Sequence, residues 1–216
     1  MTVRLQRLPA SQVITSRKLL ELTDPNRESD RFLRSWKQEN LPYVMRGINK
    51  MMMNEEYGIP GIFGLLYIKV IKANGDVLDY GLVSTRVVTT VGVNFIVDAF
   101  QNIVTLSTMR YHGIGTGNVA ENIADSALQT ELTTQYNPDN TRATGTLTEG
   151  SSANIFRTVG TNQVDAAGLS IVEHGIFSQQ ATGGGVMLDR SVFTSIGLGI
   201  GDSLQSTYEF TITAGS

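Results

Sequence analysis

The chain has 216 residues, a formal net charge of -3 and no cysteine, and 41% of its residues are hydrophobic. This length fits one medium-sized domain, with or without an appendage. The absence of cysteine excludes a disulfide scaffold, a thiolate zinc site, an iron–sulfur cluster and a cysteine nucleophile. No stretch of the sequence approaches the roughly 20 consecutive apolar residues of a membrane-spanning helix.

Charge and proline are distributed unevenly, and the chain changes character at Gly61. Residues 1–60 hold ten basic and seven acidic residues, a net charge of +3, together with four of the five prolines. The other seven basic and 13 acidic residues give residues 61–216 a net charge of -6. We therefore predict an N-terminal arm over residues 1–60, extended with short helices and without a core of its own, and a body over residues 61–216.

Short helices are predicted within the arm, where apolar residues recur at helical spacing over residues 29–40 and again over residues 42–53. The second helix is expected to begin at Pro42, because proline is tolerated in the first turn of a helix.

Beyond Gly61 the apolar residues alternate with a period of two, as in β-strands. Between two such runs, the dipeptide Asn74-Gly75 predicts a type I′ hairpin turn. Further strands are predicted over residues 83–90, 109–114, 142–148, 154–159, 169–177, 186–193 and 204–213, and capping helices over residues 92–103 and 126–132. The pattern predicts a mainly β fold, an antiparallel two-sheet sandwich of jelly-roll type with one or two short capping helices.

No residue pattern in the sequence marks a catalytic, cofactor-binding or metal site. His112 and His174 lie far apart in the chain, without the short spacing of zinc ligands. No serine lies in a G-x-S-x-G turn, and the neighbours Glu173 and His174 are expected to point to opposite faces of a strand. We therefore predict that the protein is not an enzyme and binds no cofactor or metal. A carboxylate pair in a deep pocket would reopen the question.

Nucleotide and nucleic-acid binding are also not expected. The glycine clusters over residues 113–117, 183–185 and 197–201 lack the lysine of a phosphate-binding loop, and Asp202 directly follows the last of them. The body is acidic and has no lysine after Lys72, so it offers no basic stripe to a nucleic acid.

Several segments carry a resemblance to a known class of protein: HGIGTGN (112–118), ADSALQTEL (124–132), EHGIF (173–177), ATGGG (181–185), LDRSVF (188–193) and GDSLQ (201–205). Together they resemble a region of virion structural proteins of tailed bacteriophages. The resemblance implies a β-sandwich or jelly-roll body that self-associates, often as a trimer. It also implies a place on the head as a decoration (cement) protein, or on the neck, tail or fibre. The N-terminal 60 residues take no part in it.

On this basis we expect a homotrimer on the capsid surface, made in the host cytoplasm, that bridges subunits of the major capsid protein. Neither a nucleic acid nor a membrane is an expected partner. The arm is long enough to cross neighbouring subunits and is expected to dock through aromatic and thioether side chains. The candidate anchors are Phe32, Trp36, Tyr43, Met51, Met52 and Met53. The alternative for these residues is burial against the body's own sheet.

Two other functions stay open. A tail, collar or fibre-attachment protein would occur in a small fixed number of copies per particle, whereas a decoration protein would occur in many. A glycan-binding module for host attachment would need a ring of exposed aromatic side chains. The single tryptophan of the chain, Trp36, lies in the arm rather than in the body.

Overall fold

The computed structural model describes residues 15–86 and 88–214, and within them the chain forms three α-helices and ten β-strands. The first 14 residues of the predicted arm lie outside the described residues. The elements are α1 (Ser16–Thr23), α2 (Arg31–Tyr57), β1 (Gly61–Ile71), β2 (Val77–Arg86), α3 (Thr90–Phe100), β3 (Tyr111–Gly115), β4 (Tyr136–Asn137), β5 (Ala143–Thr144), β6 (Thr146–Glu149), β7 (Ile155–Val164), β8 (Leu169–Phe177), β9 (Met187–Leu198) and β10 (Ser203–Thr213).

The strands form two antiparallel sheets. The first sheet has the order β2-β1-β10-β7-β4, with β6 also paired to β7, and the second has the order β5-β3-β8-β9. Strands β1 and β10 pair along their whole lengths, from Gly61 opposite Thr213 to Ile71 opposite Ser203. These sheets confirm the predicted fold class, a mainly β, antiparallel two-sheet sandwich.

Apolar side chains from both sheets fill the space between them. Because successive side chains of a strand point to opposite faces, every second residue enters this core. The first sheet contributes Leu66, Ile68, Val70, Val83 and Leu204, and the second contributes Ile114, Ile171, Phe193, Ile196 and Leu198.

Helix α2 closes one side of the sandwich, where strand β2 of the first sheet lies next to strand β9 of the second. The buried side chain of Asn40 connects the two edges. Its amide nitrogen donates to the carbonyl oxygen of Val83 in β2, and its oxygen accepts a hydrogen bond from the backbone N–H of Thr194 in β9, each at 2.8 Å. The indole nitrogen of Trp36 also donates to the carbonyl oxygen of Ser195, at 2.9 Å. The helix is therefore bonded to both sheets.

The arm contains one long helix where two short ones are predicted, because α2 continues through Pro42. Proline removes one backbone hydrogen bond from a helix. Pro42 is exposed, so water can reach the carbonyl that loses its partner. Packing on both sides of Pro42 holds the helix together: Leu33 joins the sandwich core, and Ile48 packs with α1 over the outer face of β1.

The hairpin between β1 and β2 lies at the predicted place, but its turn differs from the predicted type I′. The N–H of Gly75 donates to the carbonyl of Lys72, and the N–H of Lys72 donates to the carbonyl of Asp76, both at 2.8 Å. In this turn Gly75 has a positive φ, of 92°, whereas Asn74 does not. This is the pattern of a three-residue loop that ends in a glycine bulge.

Two further predictions are corrected. The strand predicted over 83–90 stops at Arg86, because Thr89 instead caps α3 by accepting a hydrogen bond from the N–H of Gly92, at 3.0 Å. The helix predicted over 126–132 is absent from the described residues, because the N–H groups of Gln129 and Thr130 donate to the carboxylate of Glu173 instead of forming helical hydrogen bonds. By contrast, β8 has the predicted bounds, 169–177.

Candidate functional site

Four apolar side chains at the C-terminal end of α2 and just beyond it are exposed, and we call this surface the helix-end patch: Met52, Met53, Tyr57 and Ile59. Met53 is 59% exposed and Tyr57 is 67% exposed. The helix ends at Gly58, whose φ of 63° is the left-handed conformation that glycine adopts easily. The N–H groups of Gly58 and Ile59 both donate to the carbonyl of Asn54. These bonds fix the direction of the chain after the helix and therefore the position of Ile59.

The predicted anchors of the arm divide into buried and exposed residues. Trp36 belongs to the sandwich core, where its ring lies edge-on to Tyr80 with 4.8 Å between centroids. Met51 is buried where α1 and α2 pack on β1. Their burial removes Trp36 and Met51 from the set of side chains that a partner could contact. The reason is that a helix packed on a sheet buries one face, and these two residues lie on it.

The other predicted anchors reach the surface at different places. Phe32, at the start of α2, is 58% exposed. Tyr43 is half-buried, with the guanidinium of Arg46 at 5.9 Å from the centroid of its ring. Met52 and Met53 form half of the helix-end patch, so two predicted anchors lie in one exposed cluster. Tyr57 and Ile59 were missed because Asn54, Glu55 and Glu56 separate them in the sequence from the three methionines.

A second apolar surface lies beside α3, and we call it the α3 groove. It is a depression of about 620 Å³ between α3, β6, the start of β7 and the end of β10, and its apolar lining includes Ile96, Phe100, Leu106, Leu147, Phe156 and Ile212. The ring of Phe100, at the rim, is 82% exposed. Glu149 is the one charged residue among the described residues that line this groove.

The two histidines meet inside the sandwich. Nδ1 of His112 lies 3.0 Å from Nε2 of His174, and Nε2 of His112 lies 3.1 Å from the hydroxyl of Thr158. Both rings are fully buried, and burial lowers the pKa of His112 to about 3. Burial, and then the nearby His112, also lower the pKa of His174 well below its usual value. Both imidazoles are therefore neutral at neutral pH.

The hydrogen bonds of this pair indicate which tautomers are present. Nδ1 of His174 has no hydrogen-bond partner. An unpartnered lone pair costs less than an unpartnered N–H. His174 therefore carries its proton on Nε2 and donates to Nδ1 of His112, whose Nε2–H donates to Thr158. Enclosed in this way, the pair has a structural role.

The sequence contains a signal for this pairing, although the two histidines lie far apart along the chain. Both histidines begin the tripeptide His-Gly-Ile, once in β3 and once in β8. These strands are antiparallel and place Gly113 opposite Gly175. The two histidines are consequently diagonal neighbours on one face of the sheet. The repeated tripeptide in two predicted strands therefore indicates that the histidines pair, whereas their separation along the chain does not.

Glu173 faces away from His174 and anchors the long connection that follows β3. Its carboxylate is fully buried and accepts hydrogen bonds from the backbone N–H groups of Gly117, Gln129 and Thr130 and from Nε of Arg190, at 2.7 to 2.9 Å. Because it binds backbone on one side and a buried guanidinium on the other, Glu173 holds this connection on the outer face of the second sheet.

Arg142 is a second buried charge, and other residues of the protein hold its guanidinium group. Its Nε and Nη2 bond the two carboxylate oxygens of Glu131, and its Nη1 donates to the carbonyls of Gln179 and Gly184. The guanidinium carbon lies 3.4 Å from the centroid of the Phe177 ring. An arginine bonded on every side in this way fixes loops rather than binding a ligand.

Comparison with known protein-family models and with curated proteins finds no match. Within residues 15–86 and 88–214, no three histidine, aspartate or glutamate side chains come together as metal ligands would. Among these residues, none of the helices combines the length and the apolar character needed to cross a membrane. The surface features that stand out are therefore the helix-end patch and the α3 groove.

Proposed function

We propose that the protein is a structural component of a tailed-bacteriophage particle. In this proposal it self-associates, as a trimer, and decorates the head by bridging subunits of the major capsid protein. The segments over residues 112–132 and 173–205 support it by their resemblance to virion structural proteins. The two-sheet sandwich is the body that this resemblance implies.

The observation that carries the proposal is the helix-end patch. Clusters of exposed apolar side chains on a protein surface usually mark sites where another protein binds. Thioether and aromatic side chains are suitable for such contacts, because they bury a large apolar area and adapt to the partner's shape. We assign the contact with the capsid to Met52, Met53, Tyr57 and Ile59.

The position of the patch suits a mechanical role. It lies at the end of α2, and Asn40 and Trp36 bond this helix to both sheets of the body. A load applied at the patch would be shared between the sheets instead of acting on one edge strand. Such a connection is expected of a protein that reinforces a shell.

The exposed aromatic residues of α2 do not favour the glycan-binding alternative. Phe32 and Tyr57 lie near opposite ends of α2. At a rise of 1.5 Å per residue, about 37 Å of helix separates them. Two rings this far apart cannot line one sugar-binding surface.

The helix-end patch can be tested with the variant Met52→Ser/Met53→Ser/Tyr57→Ser. We expect it to fold with an unchanged thermal transition, because the three side chains are exposed. Its affinity for particles that lack the protein should fall at least about tenfold, because a loss of about 1.4 kcal/mol over the three side chains together is enough for that factor. Co-sedimentation with such particles measures the affinity.

The matched control is Val77→Ser/Ile200→Ser, which removes exposed apolar side chains near the β1–β2 hairpin, far from the patch. It should bind particles like the unmodified chain. Unchanged binding by the patch variant, or an equal loss in the control, would contradict the assignment of the contact to the patch.

A further inference from the structure

The α3 groove is an apolar surface that the described residues leave uncovered. The stretch from Val88 to Met109 contains a single charged residue, Asp98, and Val93, Val97, Phe100, Ile103 and Leu106 are all exposed. A surface helix normally presents polar residues to water. Instead, the exposed face of α3 is apolar and adjoins an apolar depression of about 620 Å³. This combination indicates that another segment covers the groove.

The charges around the groove restrict what that segment can be. Glu149 lines the groove, and Asp98 lies on α3 itself. A second copy that used the same surface would bring these carboxylates together, because a twofold interface pairs a surface with itself. The chemistry instead fits an apolar segment that carries positive charge and no negative charge.

Residues 1–14 of this chain have that chemistry. Their sequence, MTVRLQRLPASQVI, contains Arg4 and Arg7, no acidic residue, and the apolar residues Val3, Leu5, Leu8, Val13 and Ile14. The acidic residues at the groove, Glu149 and Asp98, match these arginines in charge, and its apolar lining matches the apolar side chains.

The described chain begins at α1, which packs on the outer face of the first sheet and reaches the connection between β6 and β7. Lys18 and Leu22 of α1 line a depression of about 410 Å³ on the outer face of the first sheet, and Ser151 lines the same depression. Ala153, two residues further along, lines the α3 groove. A segment of 14 residues spans at most about 46–50 Å when extended, which is enough to pass around the connection between β6 and β7.

We propose that residues 1–14 of the same chain dock into the α3 groove, with Leu5 and Leu8 as apolar anchors and Arg4 and Arg7 near Asp98 and Glu149. The occupant is thus the chain's own N-terminal segment, and the proposal does not depend on a role in a virus particle. Attachment through α1 gives the segment a high effective concentration at the groove, so modest contacts suffice to keep it bound.

Crosslinking of the full-length chain tests this proposal cleanly, because the protein has no cysteine of its own. The variant Gln6→Cys/Thr148→Cys places one thiol in the segment without removing an anchor and one on the groove, where Thr148 is exposed. A short bismaleimide reagent should link the two within one chain, and peptide mass spectrometry identifies the link.

The control variant Gln6→Cys/Asn74→Cys places the second thiol in the exposed turn between β1 and β2. This turn lies at the far end of β1 from Ile62, which pairs with Ile212 of the groove, and is about 30 Å away along the strand. We expect at least about tenfold less internal crosslink in the control, as a consequence of the high local concentration at the groove. Equal yields in the two variants would overturn the proposal.

A third substitution separates docking from simple proximity. Adding Leu8→Asp to Gln6→Cys/Thr148→Cys removes an apolar anchor and introduces a charge beside Glu149. The yield should fall about tenfold, the effect of losing about 1.4 kcal/mol. An unchanged yield would overturn the proposal. Links between two chains instead of within one would also overturn it, because the occupant would then be a second copy.

Discussion

Replacing Glu173 by glutamine is expected to lower the free energy of unfolding by about 3–5 kcal/mol. The carboxylate of Glu173 accepts hydrogen bonds from three backbone N–H groups and from Arg190. In the variant, one acceptor becomes an NH₂ group that faces those donors. The buried guanidinium of Arg190 also loses one of its two ion pairs and keeps the one with Asp125, at 3.0 Å. Chemical denaturation measures the loss.

The same substitution should have a local signature that separates it from general destabilisation. The amides of Gly117, Gln129 and Thr130 lose their acceptor, so their hydrogen exchange should accelerate more than that of core amides. Glu39→Gln, at an exposed position of α2, is the matched control and should change stability by less than about 0.5 kcal/mol. If Glu173→Gln behaves like this control, Glu173 does not anchor the connection that follows β3.

Acidification from pH 6.5 to pH 4.5 should destabilise the protein strongly through its buried histidines. In the unfolded chain a histidine binds a proton below about pH 6.5, whereas burial lowers the pKa of His112 in the folded protein to about 3. The unfolded state therefore binds more protons throughout this range, and stability falls as the pH falls. By pH 4.5 the contribution of His112 is a loss of roughly 2 kcal/mol, and His174 acts in the same direction.

The pH dependence can be assigned to the histidine by substitution. His112→Gln should remove about 1.4 kcal/mol per pH unit from the slope between pH 6 and pH 4.5, whatever its effect on stability at pH 7. Asp202 does not obscure this range, because its lowered pKa affects stability only below about pH 4. Denaturant midpoints measured in steps of half a pH unit give the slope. A slope that is the same with and without His112 would mean that this ring takes up its proton in the folded protein.

Local patterns in the sequence located most of the strands, because a strand shows its alternation within a few residues. They did not find every end: β7 and β9 each continue five residues beyond their predicted ends at 159 and 193, and β4 was not predicted. Strand β8 has its predicted bounds, and β10 begins one residue before the predicted 204. The hairpin at Asn74-Gly75 was also placed correctly. Its turn type was not, because the local dipeptide does not reveal whether Asn74 or only Gly75 adopts a positive φ.

Contacts between distant residues explain what the sequence did not reveal. Helix α2 continues through Pro42 because packing on both sides of it offsets one lost hydrogen bond. Residues 126–132 avoid the predicted helix because Glu173, more than 40 residues away, accepts their N–H groups. Trp36 was predicted as an anchor because its neighbours in the sequence give no sign of the contacts that bury it. These contacts are with the carbonyl oxygen of Ser195 and the ring of Tyr80.

For the candidate site, the sequence identified part of the helix-end patch and none of the α3 groove. Met52 and Met53 were predicted as anchors because three successive methionines are conspicuous in the arm. The groove is assembled from α3, β6, β7 and β10, and its apolar residues are distributed over more than a hundred positions of the sequence. Each of them, taken alone, is an ordinary strand or helix residue.

The most direct test of the proposed function is where the protein lies in a particle and in how many copies. Antibody-gold labelling of purified particles, viewed by electron microscopy, gives the position, and calibrated gel densitometry gives the copy number. A decoration protein predicts label spread over the head at high copy number. Label confined to one vertex or to the tail at low copy number would contradict the decoration role and indicate a tail or collar protein. The absence of label from particles would contradict the virion assignment altogether.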